Sequence, residues 1–481
     1  MPLPDPTDDD RDLTQAGYRP QFLRGLGGFA AFAAGFSYLS ILTGIVQNFH
    51  LGYREAGPAF FWTWPVVFAG QLCAALCFAE LARRYPYCGG VYAWAGRVGT
   101  PALGWFVGWV YLASLVVTLA AVALAWQVTL PALWPGFQVL DAPASNAALL
   151  GVALIALSTL LNARGTRLLA RVMAAGVVVE LVAAVGLVAL LLGQSVRGPG
   201  VVLEAREGGP TGGLDAFGPF LAAAVMAAYV MYGFDTAGSL AEETVDPRRR
   251  APRAILQALL AAALLGALLL VGALVSAPDL ADPLLDDGAG GLPYLIKRVL
   301  GDTLGTVFVA AAALAVFVCT LAVHALAART LFAMARDGAT PFASRLSRVD
   351  PEHRAPRAAA AAVGALACLL LAFNSDHEQL MTALVCVSIV WTNLAYLLTT
   401  GALLVERVRR GPAPGTLLGR WGGPVNALAV AWGGVLIVNI GWPRERFYGS
   451  EWYQRFGALL FSGLLLGAGA VVYRVLRRRS A

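Results

Sequence analysis

Apolar stretches long enough to cross a lipid bilayer recur along this chain and restrict its fold more than any other feature. The hydrocarbon core of a bilayer takes roughly 17–25 apolar residues of helix. Only 13% of the residues are charged and 58% are hydrophobic, whereas soluble domains carry about 25% charged residues. The sequence therefore predicts an all-α integral membrane protein with twelve transmembrane helices, near 27–48, 57–82, 103–130, 146–162, 168–193, 217–241, 254–277, 303–333, 357–373, 379–404, 424–442 and 455–475.

The basic residues indicate how these helices are oriented. If the N-terminus is cytoplasmic, the inner segments hold 26 of the 35 lysine and arginine residues and the outer segments hold 8. Because cytoplasmic loops are enriched in Lys and Arg, we expect a multi-pass protein of the cytoplasmic (inner) membrane with both termini cytoplasmic. The net charge of +6 follows from this orientation. Basic residues spread over short loops do not form a nucleic-acid-binding face.

The patterns of several other protein classes are absent from the sequence. The first 25 residues are polar and acidic, without the apolar region of a signal peptide. The six cysteines lie in or beside predicted spans, where a thiol packs well. No HExxH, GxSxG or phosphate-binding-loop string occurs. We therefore expect no enzyme activity, no catalytic residue, no metal site and no cofactor.

Two of the predicted spans are interrupted by small and polar residues. Span six meets Gly233, Phe234 and Asp235 after an apolar run, and span one carries small and hydroxyl residues between Gly35 and Gly44. In lipid, a helix break is tolerated only where the backbone faces protein or water, and interrupted helices form the sites of secondary transporters. Close helix packing through small residues is the alternative. The two spans lie five apart and run in opposite directions, which predicts an inverted repeat.

Three segments carry the sequence patterns of a known family. Residues 79–94 (AELARRYPYCGGVYAW) follow span two, residues 233–255 (GFDTAGSLAEETVDPRRRAPRAI) include the break in span six, and residues 329–341 (RTLFAMARDGATP) follow span eight. Together with twelve spans, they resemble the amino acid–polyamine–organocation (APC) permeases. Residues 421–426 (WGGPVN) and 442–444 (WPR) look most like the amino acid/choline transporter branch.

The resemblance implies a fold and its domain boundaries. The expected core is the LeuT-like, or APC, fold: ten helices over 26–404, in two inverted five-helix repeats (about 26–193 and 217–404) with broken helices 1 and 6. A cytoplasmic tail (1–25) precedes this core. Two peripheral helices and a short cytoplasmic C-terminus follow it (405–481).

The resemblance also implies a binding site. Family members hold the substrate carboxylate at the break in helix one and its amine on carbonyls of helices one and six. Half-helix N-termini attract anions and C-terminal ends attract cations, which agrees with this arrangement. Phe234 matches the position of a gating aromatic residue. The implied substrate-binding residues are Ser40, Ile41, Thr43, Gly44, Ile45, Tyr232, Gly233, Phe234 and Asp235.

Two acidic residues lie inside predicted spans. Asp235 pairs with the substrate amine, caps the second half of helix six, or does both. Glu180 lies in span five, where relatives frequently carry a lysine that stands in for a coupling sodium ion. An acid inside a membrane is a functional hypothesis by default, so Glu180 is a candidate for binding a coupled proton or a cation. A permanent pair with Arg329 or His324 is the alternative, and the acid argues against a lysine-type mechanism.

Other polar residues in the spans have two interpretations each. His324 in span eight is a second candidate for the proton path because histidine titrates near physiological pH, and a packing role is the alternative. Six charges near the inner helix ends form either an intracellular gate or structural pairs: Glu80, Glu242, Glu243, Arg329, Arg336 and Asp337.

These observations predict a secondary active transporter, a permease that moves amino acids or related amines by alternating access. Proton-coupled symport is the favoured coupling. The alternatives are an exchanger, a carrier of an organocation such as choline, γ-aminobutyrate or a polyamine, and a nutrient sensor that binds without transporting. The expected partners are the small-molecule substrate, a co-transported proton and membrane lipid.

Overall fold

Most of the part of the chain that its structure describes is helical. The computed structural model describes residues 13–14, 17–19, 21–22, 24–204, 217–288, 290–373, 380–411 and 417–480. Most of the expected tail (1–25) therefore lies outside the described residues. Within them, the only β-type pairing is an isolated bridge between Leu26 and Thr244. The prediction of an all-α protein is confirmed.

The helices differ widely in length, from single turns to 46 residues. In chain order they are α1 Gly28–Leu39, α2 Ile41–Ala56, α3 Thr63–Arg84, α4 Gly90–Val98, α5 Pro101–Ala123, α6 Trp126–Leu133, α7 Pro143–Ala163, α8 Thr166–Gly193, α9 Phe217–Val230, α10 Thr236–Ser239, α11 Pro247–Ser276, α12 Gly291–Arg336, α13 Ala343–Leu346, α14 Arg357–Ala372, α15 Leu380–Arg410, α16 Gly422–Gly441, α17 Glu445–Tyr448, α18 Trp452–Arg455 and α19 Gly457–Ser480. Short 3₁₀ turns occupy Gly57–Trp62, Pro135–Phe137, Pro199–Leu203, Ala241–Glu243, Pro283–Leu285 and Gly419–Trp421.

Many of these helices have the length and composition of membrane spans. Among the described residues, nine helical stretches are long and apolar enough to cross a membrane, and α9 and α14 are shorter apolar helices. The first stretch, Gly28–Arg84, covers predicted spans one and two. The prediction of a multi-pass membrane protein is confirmed. Helix α12 begins well before predicted span eight and kinks at Gly301, where φ is 78°.

Burial separates a central group of helices from a peripheral one. In the most apolar part of the first stretch 83% of the residues are buried inside the protein, against 6% in the last stretch, Gly457–Arg478. Helix α19 exposes large apolar side chains, among them Leu459, Phe461 and Leu464. Large exposed apolar surfaces mark membrane or protein contacts. Helices α1 and α2 belong to the strongly buried first stretch and lie in the interior. There α1 packs on α8, α11 and α12, and α2 packs on α9 and α12.

Candidate substrate and coupling site

The first predicted break lies at Ser40, between α1 and α2. Ser40 has φ 25° and ψ 93°, outside the helical region. Its hydroxyl oxygen accepts a hydrogen bond from the Thr43 amide (3.4 Å), and its carbonyl accepts one from Gly44 (2.9 Å). A serine is a favourable N-cap because its side chain satisfies an amide that has no partner in the helix. The break therefore starts a second helix that has its own capped N-terminus.

The second break separates α9 from α10 and depends on Gly233. This glycine has φ +90°, and a Cβ atom built on it would lie 1.8 Å from Cδ1 of Tyr38. The conformation is one that side chains with a Cβ rarely adopt, and the ring of Tyr38 fills the space where that Cβ would be. Glycine at 233 thus allows both the break and the close approach of α1.

The two breaks lie against each other. The rings of Tyr38 and Tyr232 meet edge to face with centroids 5.9 Å apart, and a Cβ on Gly44 would lie 2.5 Å from Cγ2 of Val230. A small cavity lies between them, with about 10 Å³ open to the centre of a water molecule, which is room for about one water. Its lining residues are Tyr38, Leu39, Ser40, Thr43, Gly44, Thr118, Val122, Tyr229, Tyr232 and Cys319. The structure is therefore closed around its candidate site.

Glu180 of α8 contacts the first break directly. Its Oε1 accepts hydrogen bonds from the Ser40 hydroxyl (2.9 Å) and the Leu42 amide (3.2 Å). The side chain is 1% exposed, and within the described residues its Oε2 has no hydrogen-bond partner. The alternative of a permanent pair with Arg329 or His324 is wrong, because packing of α8 on α1 turns the carboxylate toward the N-terminus of α2.

Asp235 is held by two tyrosines that the sequence analysis missed. Tyr111 of α5 donates to its Oδ2 (2.6 Å), and Tyr396 of α15 donates to its Oδ1. The Tyr396 hydroxyl also accepts the Gly233 amide hydrogen bond (2.9 Å). Asp235 forms no side-chain cap on α10, so the capping prediction is wrong. Isolated tyrosines in apolar spans give no sequence signal that they converge on one acid.

The predicted substrate-binding residues are all buried, but only some of them line the cavity. Ser40, Thr43, Gly44 and Tyr232 do. The others do not line it: Ile41, Ile45, Gly233, Phe234 and Asp235. Phe234 packs against Phe78 and Tyr396, with ring centroids 6.0 and 5.3 Å away.

Six lining residues were not among the predicted substrate-binding residues: Tyr38, Leu39, Thr118, Val122, Tyr229 and Cys319. The Cys319 thiol contacts the Tyr38 carbonyl (3.3 Å), and the Thr118 hydroxyl lies 3.2 Å from that of Tyr232. Small polar residues in apolar spans are too common to be singled out by sequence alone.

His324 is fixed away from both breaks. Its Nε2 lies 2.9 Å from the Ala360 carbonyl and its Nδ1 lies 3.1 Å from the Ser158 hydroxyl. Because a carbonyl only accepts, Nε2 carries the hydrogen and Nδ1 accepts from Ser158. Both ring nitrogens are therefore satisfied, as the packing interpretation expects. In the part of the chain that is described, no group of three His, Cys, Asp or Glu residues is arranged to hold a metal ion.

The acidic pair after α10 binds two arginines of α12. Arg329 donates from Nε to Oε1 of Glu243 (2.7 Å) and from Nη2 to Oε2 (3.2 Å). Arg336 donates to both oxygens of Glu242 (3.1 and 3.0 Å). Bidentate hydrogen bonds of this kind are the strongest form of arginine–carboxylate pairing. Glu242 also accepts from the Cys88 amide (2.9 Å), so one cluster joins the ends of three segments.

The remaining predicted charges lie near this end of the helices. Glu80 of α3 pairs with Arg407 of α15 (2.8 Å). Asp337 accepts from the hydroxyl of Tyr92 (2.8 Å). The predicted charges are thus all engaged: Glu80, Glu242, Glu243, Arg329, Arg336 and Asp337.

An all-helical membrane protein in which two broken helices meet at a buried polar cavity has the architecture of a secondary transporter. The comparison with known families agrees, since the family described as amino acid permease matches residues 26–461. The chain belongs to this family, within the APC superfamily, as its motifs predicted. It is a permease, a transporter and not an enzyme.

Individual relatives are similar over most of their length. The Amino-acid permease BAT1 of Arabidopsis thaliana is 26% identical over 446 residues, 87% of this chain and 86% of that protein. The Low-affinity putrescine importer PlaP of Escherichia coli is 28% identical over 362 residues, 71% of this chain and 73% of the importer. Amino-acid permease 2 of Neurospora crassa is 25% identical, over 90% of this chain and 82% of that permease. The closer likeness to the amino acid/choline transporter branch stays a prediction.

Proposed function

We propose that this protein is a secondary active transporter that moves amino acids or related amines across the cytoplasmic membrane by alternating access. In this proposal twelve spans cross the membrane and both termini are cytoplasmic. A core over 26–404, built from two inverted five-helix repeats, carries the substrate, and the helices over 405–481 are peripheral. Coupling is proton symport.

The observation that carries the proposal is the meeting of two broken helices at one closed cavity. A cavity with room for about one water is too small for an amino acid or amine, so transport requires the surrounding helices to move apart. Breaks at Ser40 and Gly233 provide positions where half-helices can tilt without disturbing a continuous hydrogen-bond ladder. The break residues that line the cavity, Ser40, Thr43, Gly44 and Tyr232, contact the substrate once it opens.

Closure on the cytoplasmic side involves the acidic pair after α10. Its bonds to Arg329 and Arg336 tie this segment to α12. The residues just before α1 are tied to the same segment, because the Gly25 and Leu26 amides both donate to the Glu243 carbonyl (2.9 Å each). Release of these bonds frees the inner halves of both broken helices together. The cluster therefore acts as an inner gate.

Glu180 is the proposed proton carrier. Its carboxyl group bridges α8 and the start of α2, and one of its oxygens has no partner among the described residues. A buried carboxylate without a compensating partner is costly, so the group gains stability when a proton or a cation joins it. Because the Glu180 carboxylate accepts hydrogen bonds from Ser40 and Leu42 at the first break, its protonation is coupled to the geometry of the site.

The test is uptake into proteoliposomes of a mixed pool of amino acids, γ-aminobutyrate, choline and polyamines, followed by mass spectrometry. It is run with and without an inward proton gradient, and with Glu180→Gln beside Glu352→Gln as an exposed control acid. Gradient-driven accumulation that is lost in Glu180→Gln and kept in the control supports the proposal. Uptake that ignores the gradient contradicts proton coupling and favours exchange. Binding without any uptake contradicts the carrier and favours the sensor.

An organocation carrier is the second candidate. It is favoured by the similarity to a putrescine importer and by two buried acids, Glu180 and Asp235, at the breaks. The same pool distinguishes it, because an organocation carrier accumulates choline or polyamines in preference to neutral amino acids.

A further inference from the structure

An open groove follows the C-terminal half of α15, far from the cavity at the breaks. Its walls are α15, the start of α5 and one residue of α16, and about 540 Å³ of it is open to the centre of a water molecule. Leu103, Leu397 and Val405 are among the apolar side chains that line it. Gly401 also lines the groove, and a Cβ atom on it would meet nothing within 4 Å. The groove therefore has room for an apolar chain.

The length of the groove matches one leaflet of a bilayer. Leu397 and Arg410 both line it, and the helix between them rises about 20 Å at 1.5 Å per residue. One leaflet contributes about 15 Å, half of the hydrocarbon core, so the rest of the groove reaches the headgroup region. Because this helix is long and apolar enough to cross a membrane, we expect the groove to open toward lipid.

Two arginines give the headgroup end of this groove an excess of positive charge. Arg409 and Arg410 line the groove and are exposed, and neither forms an ion pair or hydrogen bond with another described residue. The acid that lines the same end, Glu406, already accepts two hydrogen bonds from Arg84 (2.9 and 2.8 Å). Guanidinium groups bind phosphate oxygens through paired hydrogen bonds, so this end suits a phosphate.

A larger groove between α9 and α16 lacks this excess of charge. Its charged lining residues are two acids and two arginines: Glu55, Glu445, Arg444 and Arg446. Glu55 lies 3.6 Å from Arg446, and Glu445 pairs with Arg455 at 2.8 Å. An anion gains no net attraction from a balanced set of charges. Unpaired positive charge beside an apolar channel is thus particular to the α15 groove among these two.

We propose that the α15 groove binds an anionic phospholipid, with its phosphate at Arg409 and Arg410 and an acyl chain against Gly401. Anionic lipids give the cytoplasmic leaflet its negative surface potential, and basic pockets between helices on that side bind their headgroups. The distribution of arginines predicts that this end of α15 is cytoplasmic. The same helix carries Tyr396, which holds Asp235 at the second break, so the lipid packs on a helix that supports the site.

Competition between two headgroups tests the role of the arginines. Delipidated full-length protein is mixed with equal amounts of phosphatidylglycerol and phosphatidylcholine that have the same acyl chains, and bound lipid is counted by native mass spectrometry. We expect a preference for phosphatidylglycerol of at least about tenfold, the order that two surface arginines provide. Arg409→Gln combined with Arg410→Gln should remove most of it. Arg167→Gln with Arg171→Gln, which removes two exposed arginines of α8, should not. No preference in the wild-type protein, or equal loss in both variants, overturns the inference.

Filling the groove tests the place of the acyl chain. Gly401→Leu puts a side chain into the open space and suits a helix, so it should bind several-fold less phosphatidylglycerol. Gly463→Leu in α19 is the control, since a Cβ there also meets nothing within 4 Å. Unchanged binding in Gly401→Leu overturns the inference.

Thermal shift distinguishes a lipid from other occupants of the groove. Phosphatidylglycerol should raise the melting temperature of the wild-type protein more than that of Gly401→Leu, and glycerol phosphate should leave both unchanged. Equal stabilisation by glycerol phosphate would show a site for free phosphate and overturn the lipid. A wild-type dimer that Gly401→Leu separates would show that a second copy covers the groove, which also overturns it. If Gly401→Leu does not fold, the exposed arginine variants decide.

Discussion

At the residue scale, the break between α9 and α10 depends on the absence of a side chain at position 233. Gly233→Ala places a methyl group 1.8 Å from the Tyr38 ring and forces a Cβ into a φ of +90°. The left-handed backbone conformation alone costs a residue with a Cβ about 1–2 kcal/mol. The Tyr38 ring also has to move within a closely packed core. We expect a clearly lower melting temperature in detergent and loss of uptake.

A helical glycine with open space around it provides the control for this substitution. A Cβ on Gly434 of α16 would meet nothing within 4 Å, so Gly434→Ala should leave the melting temperature unchanged or slightly higher. If Gly233→Ala has the same melting temperature as the wild-type protein, the described geometry of the break is incorrect.

Tyr111 and Tyr396 both donate to Asp235 but have unequal roles. Tyr111→Phe leaves one carboxylate oxygen without its donor, whereas Tyr396→Phe also leaves the Gly233 amide without its acceptor. A buried polar group without a partner costs about 1–3 kcal/mol. We expect both variants to be destabilised and Tyr396→Phe to be the less stable by about that amount. Thermal unfolding of the purified variants measures this order, and a reversed order contradicts the shared role of Tyr396.

At the scale of elements, the proposed inner gate joins the segment after α10 to α12 and covers Cys88. This cysteine follows α3, outside the spans, and is 3% exposed. Its amide donates to Glu242 and its thiol lies 3.7 Å from the Arg329 carbonyl. Burial raises the pKa of the Cys88 thiol, which keeps it in the unreactive protonated form. The reactivity of Cys88 therefore reports whether the gate is open.

Breaking one pair of the gate should expose that thiol. In a protein that retains Cys88 as its sole cysteine, Arg336→Met removes both bonds to Glu242 and leaves that acid buried without its partner, which is strongly destabilising. We expect alkylation of Cys88 by N-ethylmaleimide to become at least several-fold faster, by mass spectrometry. Glu406→Gln breaks a different helix-end pair, with Arg84, and should leave the rate unchanged. The gate assignment fails if both variants react alike.

At the scale of the molecule, features that follow from local composition were predictable and those set by helix packing were not. Hydropathy located the apolar helices, and a glycine two residues before an acid located the break at 233–235. The partners of Glu180, Asp235 and Arg329 lie 138, 161 and 86 residues away along the chain. These contacts arise because particular faces of α8, α12 and α15 turn inward. A span that is apolar on all sides contains little information about which face that is.

The number of crossings is the whole-molecule prediction that remains to be measured, and α9 is the shorter of the two short apolar helices on which it depends. The described part of α9, Phe217–Val230, has 14 residues and, at 1.5 Å of rise per residue, is about 21 Å long, short of the roughly 30 Å hydrocarbon core. We expect α9 to cross together with the break and α10. A re-entrant segment would instead return to its starting side and place the two termini on opposite sides. Fusions after Leu203 and after Arg250 test this. We expect alkaline phosphatase to be active only at the first site and green fluorescent protein to fluoresce only at the second. If the same reporter is active at both sites, the segment between Leu203 and Arg250 does not cross the membrane. The two termini would then lie on opposite sides, contrary to the prediction from the distribution of arginines.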